Sequence, residues 1–329
     1  RNPNAFAKGL LRLIIEAEQR QKPFFMVANS ADPHRPFHGD PFRGPVEPEA
    51  PSRIYKPEEV TVPDALPDLP GIREDLARDA SSVRRLDDTV GACLDVIDET
   101  DKRSSTIVIF VSDNGMSFPF GKFDCYIGSN QSPLLMRWPG RIPAARVNPD
   151  ALVSLLDLTP TLLELAGVAV PDGLDGRSLV PFLEGKAPGD WRESIVFLRN
   201  EDIYYGGEIR RRAAQDPEFI QKTEARGWRI RPDHRSSGTY SRDKEIRCYY
   251  DGRFGYIYNH WYRPDGLEFS PLGATVPYDS KPLKVMELAA DEDPVMKDRY
   301  NFYLLRELEE LYDWSTDPGS RNNLAGDPE

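Results

Sequence analysis

The amino-acid sequence predicts an α/β protein with a mainly parallel central sheet, followed by a smaller α+β subdomain with an antiparallel sheet. Three observations carry that expectation. The run TIVIFVS at residues 106–112 is apolar and β-branched without alternation, the pattern of a strand covered on both faces. Strand-like and helix-like stretches alternate over residues 1–190, the order that builds a parallel sheet. Beyond about Trp191 the runs SIVFLRN, GTYSRDKEIRCYYD and RFGYIYNHWYR alternate in polarity, as half-covered antiparallel strands do. The expected division is therefore 1–190 and 191–329, with a basic insertion around 204–235.

In chain order, residues 10–19 carry apolar side chains at helical spacing and run into Lys22-Pro23, which stops the helix before an expected strand FFMVAN. Residues 30–71 are crowded with prolines and lack a period, which predicts a long excursion from a strand end. From Ile72 the helical spacing is sustained, with Ile72, Leu76, Val83, Leu86, Val90, Leu94 and Ile97 along one side and charged residues, Asp87 and Asp88 among them, on a solvated side. SPLLMRWP predicts a strand, and SLLDLTPTLLELAGV a helix with Pro160 near its first turn and Gly167 at its end. The stretch DRYNFYLLRELEELYDWSTDPGSRNNLAG predicts a charged helix and a polar tail.

Composition narrows the function classes. With 329 residues, 39% hydrophobic, the chain can bury a large core. A formal net charge of −12 argues against a general nucleic-acid binder, which needs an excess of cations over phosphates. No apolar run approaches the roughly 20 residues of a membrane span, and the opening RNPNAFAKGL lacks the apolar core of an export signal. The chain starts without Met and enters a folded pattern almost at once, so a processed or truncated chain is expected. Cys93, Cys125 and Cys248 are too scattered for a disulfide framework and read as buried free thiols.

In open α/β sheets the ligand crevice lies beyond the carboxyl ends of the strands, where residues 29–34 and 113–122 both fall. Asp113 and Asn114 offer hard oxygen ligands to Ca²⁺ or Mg²⁺, with Gly115 allowing close backbone approach. Asp-Asn-Gly is also an ordinary way to leave a strand. Lys122 can place a point charge on an anionic group or be a plain surface lysine. In SADPHRPF, His34 is a candidate proton donor and Arg35 a candidate anion contact, on a loop stiffened by Pro33 and Pro36. The basic insertion, with Arg229 and Arg231 near Trp228, reads as a subsite for anionic groups, or as a solvated loop or subunit contact.

Six landmarks in order, FFMVANSADPHRPF, IVIFVSDNGMSFPFGK, SPLLMRWPG, LVSLLDLTPTLLELAGV, GRSLVPFLEG and ELYDWSTDPGSRNNLA, resemble the type I sulfatases of the alkaline phosphatase superfamily. The wording is nearest the heparan N-sulfatase, or sulfamidase, branch. The resemblance implies an alkaline-phosphatase-like α/β sandwich and hydrolysis of a sulfate ester or sulfamate, on a sulfated carbohydrate or other small sulfated substrate. It also implies Ca²⁺ held in part by Asp113 and Asn114, sulfate contacts from Lys122, and His34 beside the leaving group. A periplasmic, secreted or lysosome-like setting goes with the family.

The family attacks with a formylglycine made from Cys or Ser in a Cys/Ser-x-Pro/Ala-x-Arg motif, and takes further metal carboxylates from an Asp-Asp pair near its start. Neither is found here, and Asp87-Asp88 sits in the wrong place for that pair. The expectation is that the nucleophile lies outside this chain, on an N-terminal polypeptide that would be its partner. Two alternatives are a phosphate or phosphonate ester hydrolase on the same scaffold, and a non-catalytic binding protein that keeps the fold.

Overall fold

The structure, a computed structural model, describes residues 2–40, 49–122, 124–149, 151–186, 188–199, 245–260, 281–304 and 306–327. The chain forms two compact units, Arg1–Ser117 with Gln131–Ile195, and Phe118–Asn130 with Val196–Glu329. Segment 118–130 leaves the first unit for the second, which no periodicity in the sequence signals.

In the first unit, helix α1 (Pro3–Gln19) is capped by Asn2, whose side chain accepts from Ala5 N at 2.9 Å, with Pro3 at the position where a missing N–H costs least. It packs on the long helix α2 (Pro70–Glu99), and Leu10, Ile14, Val96 and Ile97 form a core that also receives Phe24, Met26 and Val108. Strand β1 (Val108–Val111) rests on this core. It pairs antiparallel with β2 (Leu134–Arg137), Phe110 opposite Leu135, with short helix α3 (Ile127–Asn130) in the intervening connection.

Two expectations change here. The pairing of β1 is antiparallel rather than parallel, because the connection 112–133 leaves and returns at one end of the pair. FFMVAN is no strand: Phe24 and Met26 face the helical core while Phe25 and Val27 are 71% and 67% exposed, so the alternation is present without a hydrogen-bonding neighbour among the described residues.

The polar side of α2 departs furthest from its reading. Asp75, Ser81, Ser82, Arg85 and Thr89 are buried, whereas Val83, expected on the covered side, is exposed. The excursion that follows residue 30 is laid along this polar side. Asp32 receives Arg85 Nε and Nη2 at 2.8 and 2.9 Å with both side chains fully buried, and Arg85 Nη1 donates to Glu49 O at 3.0 Å. Ser82 Oγ accepts from His38 N at 2.8 Å, Ser81 Oγ from Tyr55 N at 3.0 Å, and Asp88 from Ser52 N and Oγ at 2.8 and 2.6 Å. A loop whose described residues hold only the short 3-10 turn Pro57–Glu59 still has to satisfy its buried backbone groups, and here a helix does so for several of them.

The rest of the first unit is organised by Asp157, fully buried, which accepts from Ser154 N at 2.8 Å, Arg177 N at 2.7 Å and two Arg192 nitrogens at 2.5 and 2.6 Å. Helix α4 (Leu158–Leu165) follows, ended by Gly167 at φ +70° as expected, and then α5 (Val180–Leu183).

The second unit holds a four-stranded sheet in the order β3 (Ile195–Arg199), β4 (Ile246–Tyr250), β5 (Phe254–Asn259), β6 (Glu309–Asp313). Tyr256 lies opposite Tyr249 on one side and Leu311 on the other, both antiparallel as expected. Helices α6 (Lys281–Ala290) and α7 (Pro294–Leu304) precede β6. ELYDW, expected in a helix and tail, is instead largely β6, because Glu310 is fully buried and accepts from Arg306, Asn259, Tyr126 and Tyr312.

Removing one member of the Asp32–Arg85 pair leaves the other charge buried and unmatched, at a cost of about 3–5 kcal/mol. Asp32→Ala should lower the free energy of unfolding by that amount in urea denaturation. Replacing both, Asp32→Leu with Arg85→Met, should recover most of it; a loss near zero in the single variant would mean that water reaches the pair.

Candidate active site

The end of β1 carries the first candidate residues. Ser112 N still extends the ladder to Pro133 O at 3.4 Å, and its Oγ donates to Asn114 O at 2.8 Å, which turns the chain sharply after Val111. Asp113 is exposed and Asn114 half-buried on this turn. Both offer oxygen donors on a rigid strand end.

His34 and Arg35 lie on the turn-rich loop whose base is held by the Asp32–Arg85 pair. His34 is exposed, and its Nδ1 sits 2.6 Å from Arg35 O. A carbonyl only accepts, so Nδ1 carries a proton and the exchangeable site of the ring is Nε2.

Arg35 is engaged on three sides. Nε donates to Ser117 O at 3.1 Å, Nη2 donates to Asp75 Oδ2 at 2.5 Å, and the guanidinium lies 4.1 Å above the ring of buried Phe37. The bond to Ser117 ties the histidine loop to the loop that begins at Asp113 and Asn114. The structure thus joins these two predicted segments within one unit, by a guanidinium expected to meet substrate directly.

Two carboxylates that sequence reasoning passed over belong to the same cluster. Asp75 is buried on α2, with Arg78 Nη1 at 3.9 Å as a second cation. One turn on, Asp79 has a buried Oδ1 with no hydrogen-bond partner; burial pushes its carboxyl up to about 7, Asp75 adding to the rise and Arg35 opposing it. Their signal in the sequence was the i, i+4 spacing of two acids, Asp75 and Asp79, on the expected helix.

Lys122 belongs to the second unit. Its loop is anchored there by aromatic packing: Phe120, at φ +63°, has its ring 5.1 Å from Tyr126 and 4.9 Å from Tyr303, with Arg299 4.0 Å above it. Tyr126 OH reaches Glu310 at 3.1 Å, and a side chain at Gly128 would lie 2.8 Å from Phe120 O. Arg229, Arg231 and the insertion around them lie outside the described residues.

For a metal, Asp113 and Asn114 have the right chemistry, since Ca²⁺ takes carboxylate and amide oxygens. They supply only part of its 6–8 ligands, and among the described residues no group of three or more His, Cys, Asp or Glu side chains is placed to hold an ion. For a nucleophile, Cys125 and Cys248 are buried free thiols, as expected, while Cys93 is half-buried. Burial pushes all three thiols up, Cys125 to about 12, the reverse of what a reactive thiolate requires.

The sulfatase family model matches residues 2–168. Human N-sulphoglucosamine sulphohydrolase is 34% identical over 201 residues, covering 54% of this chain and 40% of that protein. N-acetylgalactosamine-6-sulfatase of Canis lupus familiaris is 37% identical over 146 residues, covering 40% of this chain and 26% of that protein. A chain solved in a study of glycosaminoglycan metabolism by Bacteroides thetaiotaomicron superimposes with a TM-score of 0.58 at 18% identity, covering 97% of this chain and 53% of that one. The shared fold is the alkaline-phosphatase-like α/β architecture. This chain spans less than half the length of the two curated relatives named here.

The raised Asp79 carboxyl makes stability depend on pH. Its folded value, about 7, lies above the ordinary 3.8, so its contribution is complete below pH 3.8 and is lost as pH rises through 7. Asp79→Asn, which removes the ionisation, should therefore stabilise the protein by on the order of 2 kcal/mol more at pH 8 than at pH 5. Urea unfolding at the two pH values measures the difference; an equal effect at both would show that Asp79 does not titrate there.

Proposed function

This chain belongs to the sulfatase family, and from that premise we propose that it hydrolyses sulfate esters or sulfamates on a sulfated saccharide. The observation that carries the proposal is the link from Arg35 Nε to Ser117 O, which holds the His34 loop to the Asp113–Asn114 loop inside the region matched by the family. The naming of relatives for amino-sugar sulfates supports the saccharide class.

Asp113 and Asn114 would hold Ca²⁺, which tolerates the irregular, many-oxygen site a turn can offer better than Mg²⁺ does. A bound divalent cation supplies positive charge against the sulfate oxygens. Lys122 would contact the sulfate oxygens as the family resemblance implies, and the basic insertion with Arg229 and Arg231 would contact further anionic groups of a polymer. As the S–O bond of an ester or the S–N bond of a sulfamate breaks, charge builds on the departing atom. As proton donor, His34 would pass a proton from Nε2 to that atom while Nδ1 stays bonded to Arg35 O.

Cys93, Cys125 and Cys248 lack the Cys-x-Pro/Ala-x-Arg context of the family's formylglycine motif, so none of them is assigned as the nucleophile. Sulfated polysaccharides are met outside the cytosol, which supports an exported or lysosome-like setting; no helix among the described residues is long and apolar enough to cross a membrane.

Expressed from its complete reading frame, the protein should release inorganic sulfate from N- or O-sulfated glucosamine saccharides, measured by ion chromatography, with His34→Ala and Lys122→Ala each lowering kcat/KM by about 100-fold or more. Asp113→Ala should weaken Ca²⁺ binding at least tenfold in calorimetric titration. Preferential release of phosphate from phosphate or phosphonate esters would favour the related hydrolases, and binding without turnover of any of these would favour a non-catalytic role.

A further inference from the structure

We propose that Arg35 is a positioning residue rather than a substrate contact: oriented by Asp75, it sets the Asp113–Asn114 loop against the His34 loop and acts on the reaction only through them. The inference deepens the sulfatase reading and rests on it for its kinetic arm.

The geometry supplies four reasons. Nε and Nη2 of one planar group are bonded at once, to Ser117 O at 3.1 Å and Asp75 Oδ2 at 2.5 Å, so the direction of the guanidinium is set by two bonds rather than one. Its face is covered by Phe37 at 4.1 Å, and Phe37 is fully buried, so the ring is a fixed support. Asp75 is itself immobile: it is buried, in the first turns of a helix whose polar side is seated against the same excursion at Ser82 and Arg85. Ser117, finally, is the last residue of the first unit before the chain departs toward Lys122. One guanidinium therefore fixes both the end of the Asp113–Asn114 loop and the carbonyl of its own residue, which accepts from His34 Nδ1 at 2.6 Å.

A lysine could retain the charge but could not make both bonds in one plane. Carboxamide in place of the Asp75 carboxylate keeps the shape and removes the charge that orients the fork.

The test uses the protein expressed from its complete reading frame, as Arg35→Lys and Asp75→Asn, with two readouts. The first is steady-state hydrolysis of a sulfated glucosamine saccharide. Both variants should lower kcat by about 10–100-fold with KM within about twofold, since misplacing reacting groups costs turnover and not ground-state binding. The second is amide hydrogen exchange, which needs no activity: residues 31–37 and 112–117 should lose protection together, with α1 and α4 unchanged. A tenfold rise in KM at unchanged kcat would overturn the proposal by making Arg35 a substrate contact, and so would unaltered exchange in 112–117. If the parent protein turns over no sulfated substrate, the sulfatase reading falls and exchange alone decides the positional claim. Should Arg35→Lys fail to fold, Asp75→Asn carries both readouts.

Discussion

The buried pairing of Asp32 with Arg85 is the constraint on which the first unit depends. Among its described residues the proline-rich excursion has no strand ladder to absorb its polar groups, and proline removes donors without removing carbonyls. Such a chain would be shapeless unless something rigid supplied partners at fixed intervals. Helix α2 does so with a side of Asp, Ser and Arg residues, whose backbone needs are already met within the helix. The ion pair is the fully buried one of these contacts and sits where the excursion begins, just before His34.

This is also where reading the sequence met its limit. The apolar side of α2 was legible, because Ile72, Leu76 and Ile97 repeat at helical spacing and end in the core. Its polar side looked like any solvated stripe, because a charge pattern is the same whether water or another part of the chain receives it. The discriminating signal was present in the adjacent serines 81 and 82, residues that helices do not favour without a reason. FFMVAN shows a second kind of limit. Its alternation is real, but a strand is defined by a neighbour, which composition cannot supply.

Of the candidate site, the acid-amide turn and the histidine loop were readable as residue types at a strand end and on a proline-stiffened loop. What joins them was not, since a single arginine reaching a carbonyl 82 positions away has no local signature. The same holds for Lys122. Its loop is dense in aromatic residues, and that density anticipates a buried anchor, but the core that receives Phe120 and Tyr126 is assembled from α7 and β6 near the far end of the chain. ELYDW differs from its expected helix for a related cause: the charged run RELEELYDW reads as a charged helix, yet Glu310 within it is fully buried and accepts from Arg306, Asn259, Tyr126 and Tyr312.

The seating of the excursion on α2 bears on how such a protein can diverge. Its proline-rich stretch is not an interchangeable surface ornament, because at Asp32, His38, Ser52 and Tyr55 it is matched by a particular guanidinium, hydroxyl or carboxylate along the helix. A relative that acquired a new version of this stretch would have to inherit the facing helix with it, or retune both in step. Transplanted alone, the stretch would arrive without the template that gives it form.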